Sequence, residues 1–204
     1  MIYPETINNL IECYKKLPGI GEKTAERMAL YSLELDQEII DLFVQSLTNL
    51  KTKIKRCKIC NNLSQDDICS ICASDGRDHN VICVVEEPKN VFQFEKIGSY
   101  RGLYHVLDGL ISPLENINPE DINLDSLIKR IDEESIKEVI IAVKPSVEGE
   151  TTALYISKIL EGKKVTISKI AHGVPLGADM DYVDALTLEM ALEERKNITS
   201  NSEE

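Results

Sequence analysis

The chain has 204 residues, of which 43% are hydrophobic, and its formal net charge is −12. This length allows one large domain or two small ones with a finger, and the apolar content is enough for a buried core. The lack of tryptophan and the 5% aromatic content argue against a wide surface for stacking bases. Because the sequence has no apolar run that could cross a bilayer and no signal-peptide pattern, we expect a cytoplasmic protein that does not enter a membrane.

The charge is distributed unevenly along the chain. Through residue 58 there are nine lysines and arginines against eight aspartates and glutamates, so the remainder carries a net −13. An acidic surface repels polyanions, and contact with nucleic acid is therefore expected in the first third. The acidic remainder is expected to face another kind of partner.

The first third begins with two predicted helices, over residues 6–16 and 22–35, joined by the sequence Leu-Pro-Gly-Ile-Gly. Pro18 ends the first helix, and the two glycines of the turn allow a sharp bend. The second helix is expected to face inward through Ala25, Met28, Ala29 and Leu33. This pattern is typical of a helix-hairpin-helix, in which backbone N–H groups after the turn approach a DNA phosphate.

Several basic residues could support that contact. Lys23 and Arg27 are four residues apart and share one helix face just past the turn. A third predicted helix, residues 36–54, has a long apolar stripe and a basic C-terminal end. The alternative for the first two helices is an ordinary helical hairpin whose charges are solvated. The alternative for the basic end of the third helix is that its cations only interact favourably with the helix dipole. The candidate DNA-contact residues are Gly19, Gly21, Lys23, Arg27, Lys51, Lys53, Lys55 and Arg56.

Two Cys-x-x-Cys pairs follow, Cys57 with Cys60 and Cys69 with Cys72. Four thiolates on two tight turns match tetrahedral Zn²⁺, and they leave no position open for water, so we expect one structural zinc ion per chain. Two disulfides are the alternative. The remaining cysteines, Cys13 and Cys83, lie among apolar residues and are expected to be buried.

The rest of the chain alternates strands with helices. Apolar runs predict strands at 81–85, 100–107, 138–143 and 164–170, and helices are predicted at 90–97, 124–131 and 151–160. This alternation favours an α/β fold with a mostly parallel sheet covered by helices on both faces, and a site in the loops after the strands. A last helix is predicted at 181–196. His79, His105 and His172 have no ligand-like neighbours and are interpreted as structural or surface residues.

The loops after two strands resemble the Toprim domains of topoisomerases and primases. Glu86 ends one strand, and the sequence Val-Glu-Gly-Glu at 147–150 follows another. The resemblance implies that the first Glu acts as an acid/base and that two Asp hold Mg²⁺. At those Asp positions this chain has Lys144 and Ser146. Because an ammonium repels Mg²⁺, we expect a Toprim fold without metal chemistry.

The whole arrangement resembles the RecR family of bacterial recombination mediators. Besides the motifs above, the resemblance includes the sequences at 84–88, 100–107 and 171–175, although that family usually has a polar residue such as Asn in place of Lys144. It implies a non-enzymatic protein that forms a ring-like dimer of dimers around single- or double-stranded DNA. It also implies that RecO, and in some settings RecF, are partners in loading RecA. The corresponding regions are a helix-hairpin-helix at 1–56, a four-cysteine finger at 57–72, a Toprim domain at 80–175, and a C-terminal loop and helix at 176–204.

The acidic strand ends suggest where a partner binds. Glu86, Glu87, Glu148 and Glu150 are expected to form one negative patch, which suits a basic protein better than DNA; by the resemblance, that protein is RecO. Lys144 would then offset part of the patch as an internal ion pair. The competing functions are a Mg²⁺-dependent Toprim enzyme, either a nuclease or a primase-like polymerase, and a zinc-ribbon adaptor of transcription. The adaptor would leave both the hairpin and the Toprim pattern unexplained.

Overall fold

The computed structural model describes residues 3–171 and 173–195, and the chain divides into two compact units after Ile54. The first unit is helical and has a small core of Ile11, Ala25 and Ala29, on which Tyr3, Ile7, Leu10, Tyr14 and Ile20 pack. Its elements are α1 (Glu5–Lys15), α2 (Glu22–Tyr31), a short 3-10 helix (Ser32–Glu34) and α3 (Gln37–Lys53).

Three details of the first unit differ from expectation. Leu33, predicted to face inward, is 70% exposed, because α2 ends at Tyr31 and the 3-10 helix turns the chain away. Cys13 is exposed rather than buried. The predicted third helix exists, but none of its residues is buried, so the apolar side of α3 is left open to solvent. This apolar side consists of Ile39, Phe43, Val44, Leu47 and Leu50, which are about half exposed or more.

The second unit begins with the cysteine-rich segment. Two short strands, β1 (Lys55–Arg56) and β2 (Leu63–Ser64), pair antiparallel around it. We call residues 55–74 the finger. The chain then forms a four-stranded sheet whose order is β4-β3-β5-β6, with all neighbouring strands parallel. Its elements are β3 (Asp78–Val85), α4 (Pro88–Ile97), β4 (Gly102–Val106), α5 (Leu124–Glu133), β5 (Glu138–Ala142), α6 (Val147–Ile159) and β6 (Thr166–Lys169).

Both faces of this sheet are buried, and successive residues alternate between them. On one face, Ile82 and Val84 of β3 belong to the cluster that includes Leu127 of α5 and Ile156 of α6. On the other face, Cys83 and Val85 join Val91 of α4, Tyr104 of β4 and Ala142 of β5. The predicted α/β class, with helices on both faces of a parallel sheet, is confirmed.

Two helix boundaries in the second unit differ from prediction. The segment expected as a loop at 144–150 is partly helical, since α6 begins at Val147. The last helix, α7, spans Ala185–Glu193 and is preceded by a short 3-10 helix (Met180–Tyr182), whereas the sequence predicts one helix from residue 181. His172 and the expected helix end at Lys196 lie outside the described residues. Within the described part, no helix is both long and apolar enough to cross a membrane.

Candidate metal centre and interaction surfaces

The four paired cysteines come together in the finger. Their sulfur atoms all lie within 4.8 Å of one another, and all four residues are buried. The turn after the first pair is set by Asn61, whose φ of 60° is tolerated by asparagine. It lets the Cys57 N–H donate to the Asn62 carbonyl at 2.7 Å. Four soft, buried thiol ligands and no water position fit a structural Zn²⁺ ion.

The cysteine sulfurs lie close enough to one another to influence each other's ionisation. Cys60 Sγ and Cys69 Sγ are 3.5 Å apart. Their hydrogen bond raises the pKa of Cys60 and lowers the pKa of Cys69. Because zinc takes thiolates, its binding displaces the remaining protons, and metal affinity must fall as the pH falls.

The glycine-rich turn of the first unit has the sharp bend that the sequence predicts. Gly19 has φ of 80°, a left-handed conformation that favours glycine. Gly21 is the N-cap of α2, and no side chain caps this helix start. The Thr24 N–H donates to the Gly21 carbonyl at 3.1 Å, whereas the N–H groups of Glu22 and Lys23 have no partner among the described residues. Such N–H groups at a helix start are available to an anion.

The predicted basic residues differ in what they contact. The side chains of Lys23, Arg27, Lys51 and Lys53 belong to exposed residues and form no ion pair with any residue from 3–171 or 173–195. In contrast, Lys55 and Arg56 are already paired within the second unit.

These pairs involve acidic residues of the finger and of the loop that follows β4. Lys55 pairs with Asp67, which also pairs with Lys58 at 2.6 Å, and together they lower the pKa of Asp67 to about 2. Arg56 Nη2 lies 2.7 Å from Asp108 Oδ1. Lys55 and Arg56 therefore make ion pairs within the chain. The sequence could not show the Arg56 pair, because Asp108 lies 52 positions away.

The carboxyl ends of β3 and β5 form what we call the Toprim face, with Glu86, Lys144, Glu148 and Glu150. Lys144 Nζ lies 3.3 Å from Glu86 Oε1, and the Glu86 side chain is only 18% exposed. Lys144 thus places an ammonium beside the carboxylate that resembles the acid/base of Toprim enzymes. A fixed positive charge at this point opposes the binding of Mg²⁺ there.

Ser146, the other changed position, caps α6. Its Oγ accepts a hydrogen bond from the Gly149 N–H at 3.2 Å and donates to Glu148 Oε2 at 2.7 Å. The latter bond lowers the pKa of Glu148. Position 149 requires glycine because the backbone of Lys144 lies very close to it. A Cβ there would lie 1.9 Å from the Lys144 carbonyl oxygen. A Ser followed by acidic residues in the next turn is a helix-start signal that was present in the sequence.

The other carboxylates of the expected patch also have cationic neighbours. Lys169 Nζ lies 3.0 Å from both carboxylate oxygens of Glu150 and 3.6 Å from Glu194. Glu87 pairs with Lys89 at 2.6 Å. Glu148 is the member of the patch that forms no ion pair with any described residue. The negative charge of the patch is therefore partly neutralised. For Lys144, this is the internal ion pair that the sequence suggested as an alternative.

Comparison with known proteins agrees with this division of the chain. Four family models match it in succession: the RecR helix-hairpin-helix at residues 7–51, the RecR zinc-finger domain with four cysteines at 54–74, the Toprim domain at 80–171 and the RecR C-terminal region at 173–196. A curated relative from Enterococcus faecalis, "Recombination protein RecR", is 47% identical over 198 residues, which cover 97% of this chain and 100% of the relative.

The chain belongs to the RecR family. The resemblance stated from the motifs is confirmed, and so is the four-cysteine zinc site, because the RecR zinc-finger model matches the segment in which the sulfurs converge. The Toprim match covers both the Glu86 and the Lys144 positions, so the lysine lies within a recognisable Toprim domain rather than in an unrelated loop.

Proposed function

We propose that this protein is a DNA-binding mediator of recombinational DNA repair that catalyses no reaction itself. It binds single- and double-stranded DNA without sequence preference, and acts with RecO, and in some settings RecF, to help load RecA onto single-stranded or gapped DNA. Its membership of the RecR family and the name of its relative, a recombination protein, support this function.

The observation that carries the proposal is that polar groups at the helix-hairpin-helix turn have no partners within the described chain. The start of α2 is uncapped, and Lys23 and Arg27 lie exposed on the same helix without an ion pair among the described residues. Backbone N–H groups and unpaired cations together suit a phosphate, and such contacts do not depend on base sequence. Lys51 and Lys53, likewise exposed and unpaired within the described ranges, extend the basic surface of this unit.

An oligomer follows from the weakness of a single hairpin on a chain of charge −12. Several hairpins that line one opening would act together and raise the effective affinity. The open apolar side of α3 supports self-association, because contiguous apolar surface of this kind marks interaction sites. We therefore propose a homo-oligomer, arranged as a ring-like dimer of dimers.

The Toprim face is the proposed surface for the protein partner, through Glu86, Glu148 and Glu150. Glu148 carries a carboxylate without an ion pair in the described chain, next to Val147, which is 80% exposed. An available negative charge beside an apolar side chain suits a basic partner such as RecO. The ammonium of Lys144 beside Glu86 supports a role for this face in binding rather than in metal-dependent catalysis.

The DNA contact is tested with the double variant Lys23→Ala/Arg27→Ala. We expect weaker binding to two unrelated DNA sequences by the same factor. We also expect a shallower salt dependence, since each lost phosphate contact lowers the slope by about 0.9. The measurement is fluorescence anisotropy of labelled DNA across a salt series.

A matched control removes two exposed lysines from the acidic unit, in Lys158→Ala/Lys164→Ala. Both double variants change the net charge equally, so a difference between them reports the location of the contact. Equal affinities and slopes in the two double variants would contradict the proposed DNA-contact surface.

A further inference from the structure

The finger is hydrogen-bonded to the end of β4, the edge strand of the parallel sheet. β4 is the terminal strand in the order β4-β3-β5-β6, yet all five of its residues are buried. At its end, the Val106 N–H donates to the Cys60 carbonyl at 2.9 Å. In return, Asn61 Nδ2 donates to the Val106 carbonyl at 3.2 Å. The zinc ligand Cys60 and its neighbour Asn61 therefore form hydrogen bonds with the N–H and the carbonyl of Val106.

A third contact extends this connection beyond the strand. Arg56 donates through Nη1 to the Asn61 carbonyl at 3.0 Å and through Nη2 to Asp108 Oδ1 at 2.7 Å. Asp108 has φ of 65°, a conformation that aspartate tolerates better than most residues. One guanidinium thus joins the first finger strand, the cysteine turn and the loop that follows β4.

The same loop is bonded to the end of β3. The Leu107 N–H donates to the Val85 carbonyl at 2.9 Å, and the Asp108 N–H donates to the Glu86 carbonyl at 2.8 Å. Glu86 is the carboxylate paired with Lys144. A continuous series of hydrogen bonds therefore runs from the zinc ligand Cys60 to the Toprim face.

We propose that the metal-loaded finger is a clamp that holds residues 106–108 against the end of β3, so that the zinc state of the finger sets the order of the Toprim face. Asn61 and Arg56 are the positioning residues of this clamp. In this clamp Arg56 acts through its two contacts within the chain, to the Asn61 carbonyl and to Asp108. The consequence for partner binding rests on the function proposed above; the clamp itself does not.

The backbone amides of Val106, Leu107 and Asp108 report directly on the clamp, because each of these N–H groups is hydrogen-bonded. Amide hydrogen exchange of the zinc-loaded full chain should accelerate at these positions by about three- to tenfold in Asn61→Gly and in Arg56→Ala, the effect expected for one lost hydrogen bond. Glycine retains the left-handed φ at position 61, and Arg56→Lys should restore part of the protection.

The matched control is Lys58→Ala. Lys58 belongs to the same finger, but its ion pair is with Asp67 and does not reach the sheet. Exchange at 106–108 should equal that of the unchanged protein, and exchange in β5 should be the same in all variants. Zinc content is measured for each variant. If Asn61→Gly binds less zinc, the result for Arg56→Ala decides the test, because Arg56 lies outside the cysteine turn.

Two further results separate a clamp from simple surface contacts. The double variant Asn61→Gly/Arg56→Ala should accelerate exchange by less than the product of the single effects, because the two side chains hold the same backbone. Removal of zinc from the unchanged protein by a chelator should accelerate exchange at 106–108 at least about tenfold, since the Cys60 carbonyl is then no longer fixed.

Equal exchange at 106–108 in Arg56→Ala and Lys58→Ala, or unchanged protection after zinc removal, would overturn the clamp. These measurements contain neither DNA nor a protein partner. Their failure would therefore leave the proposed function standing, whereas failure of the DNA experiment above would leave the clamp standing.

Discussion

At the scale of single residues, burial constrains the chemistry of His105. It is completely buried in β4, and its Nε2 lies 2.8 Å from the Asn123 carbonyl oxygen, to which it donates. Its Nδ1 has no partner among the described residues. Burial is the main reason that the pKa of His105 is lowered to about 4, and the nearby charge of Arg130 lowers it further. The folded protein therefore keeps this imidazole neutral.

This shift predicts that stability falls in mildly acidic solution. The unfolded chain protonates His105 below its ordinary pKa of 6.5 while the folded chain does so only near 4. The contribution is fully present above pH 6.5 and decreases as the pH falls toward 4, by on the order of 3 kcal/mol. Denaturant unfolding between pH 7 and 4 should show a flatter pH dependence for His105→Gln. His79→Gln, at an exposed histidine, should retain the slope of the unchanged protein; identical slopes in both variants would contradict this assignment.

Glu148 provides a second prediction for one side chain. Reversal of its charge in Glu148→Lys should slow association with a basic partner and weaken binding by roughly tenfold, because favourable long-range attraction becomes repulsion. Surface plasmon resonance with RecO, the partner proposed above, at two salt concentrations measures both quantities. Glu133→Lys, on α5, is the control with the same charge change. Normal partner binding by Glu148→Lys, with zinc content and folding intact, would show that this carboxylate is not part of the interface.

Among the structural elements, the finger depends most on a few side chains. Cys69→Ser should lose the zinc ion and destabilise the second unit, because three thiolates leave the tetrahedron incomplete and metal binding contributes to folding. Elemental analysis and thermal unfolding check both effects. Cys13→Ser, at an exposed cysteine outside the cluster, should retain one zinc ion per chain. A full zinc complement in Cys69→Ser would exclude that residue as a ligand.

Elements with strong local patterns were predictable from the sequence, and those defined by distant contacts were not. The apolar runs at β3 and β5 identified buried parallel strands, and the cysteine spacing identified the metal site. The start of α6 was missed because the Toprim resemblance favoured a loop over the local capping signal of Ser146. The contact of Arg56 with Asp108 spans 52 positions, and no sequence period indicates such a pair.

At the scale of the whole molecule, the open apolar side of α3 is the surface through which we propose that copies associate. The variant Phe43→Glu/Leu47→Glu places two charges on its open apolar side and should yield a smaller species, because burying those charges in an interface is unfavourable. Light scattering coupled to size exclusion gives the mass at roughly micromolar protein, a concentration at which an interface of about 8 kcal/mol is half dissociated.

The control for this prediction is Gln45→Glu/Thr52→Glu, which adds the same charge on the opposite side of α3. It should retain the mass of the unchanged protein, and circular dichroism should show equal helix content in both variants. A mass unaffected by Phe43→Glu/Leu47→Glu would mean that copies associate through another surface.

The lysine beside Glu86 has a consequence for the conditions under which this face works. A bound divalent ion comes and goes with its free concentration, so a metal-dependent surface changes its charge as the cell's magnesium changes. Lys144 is covalently part of the chain, and its charge is present at every magnesium level. Recognition at this face should respond to ionic strength as a whole but not to the identity of the cation, so replacing Mg²⁺ by Na⁺ at equal ionic strength should leave it unchanged.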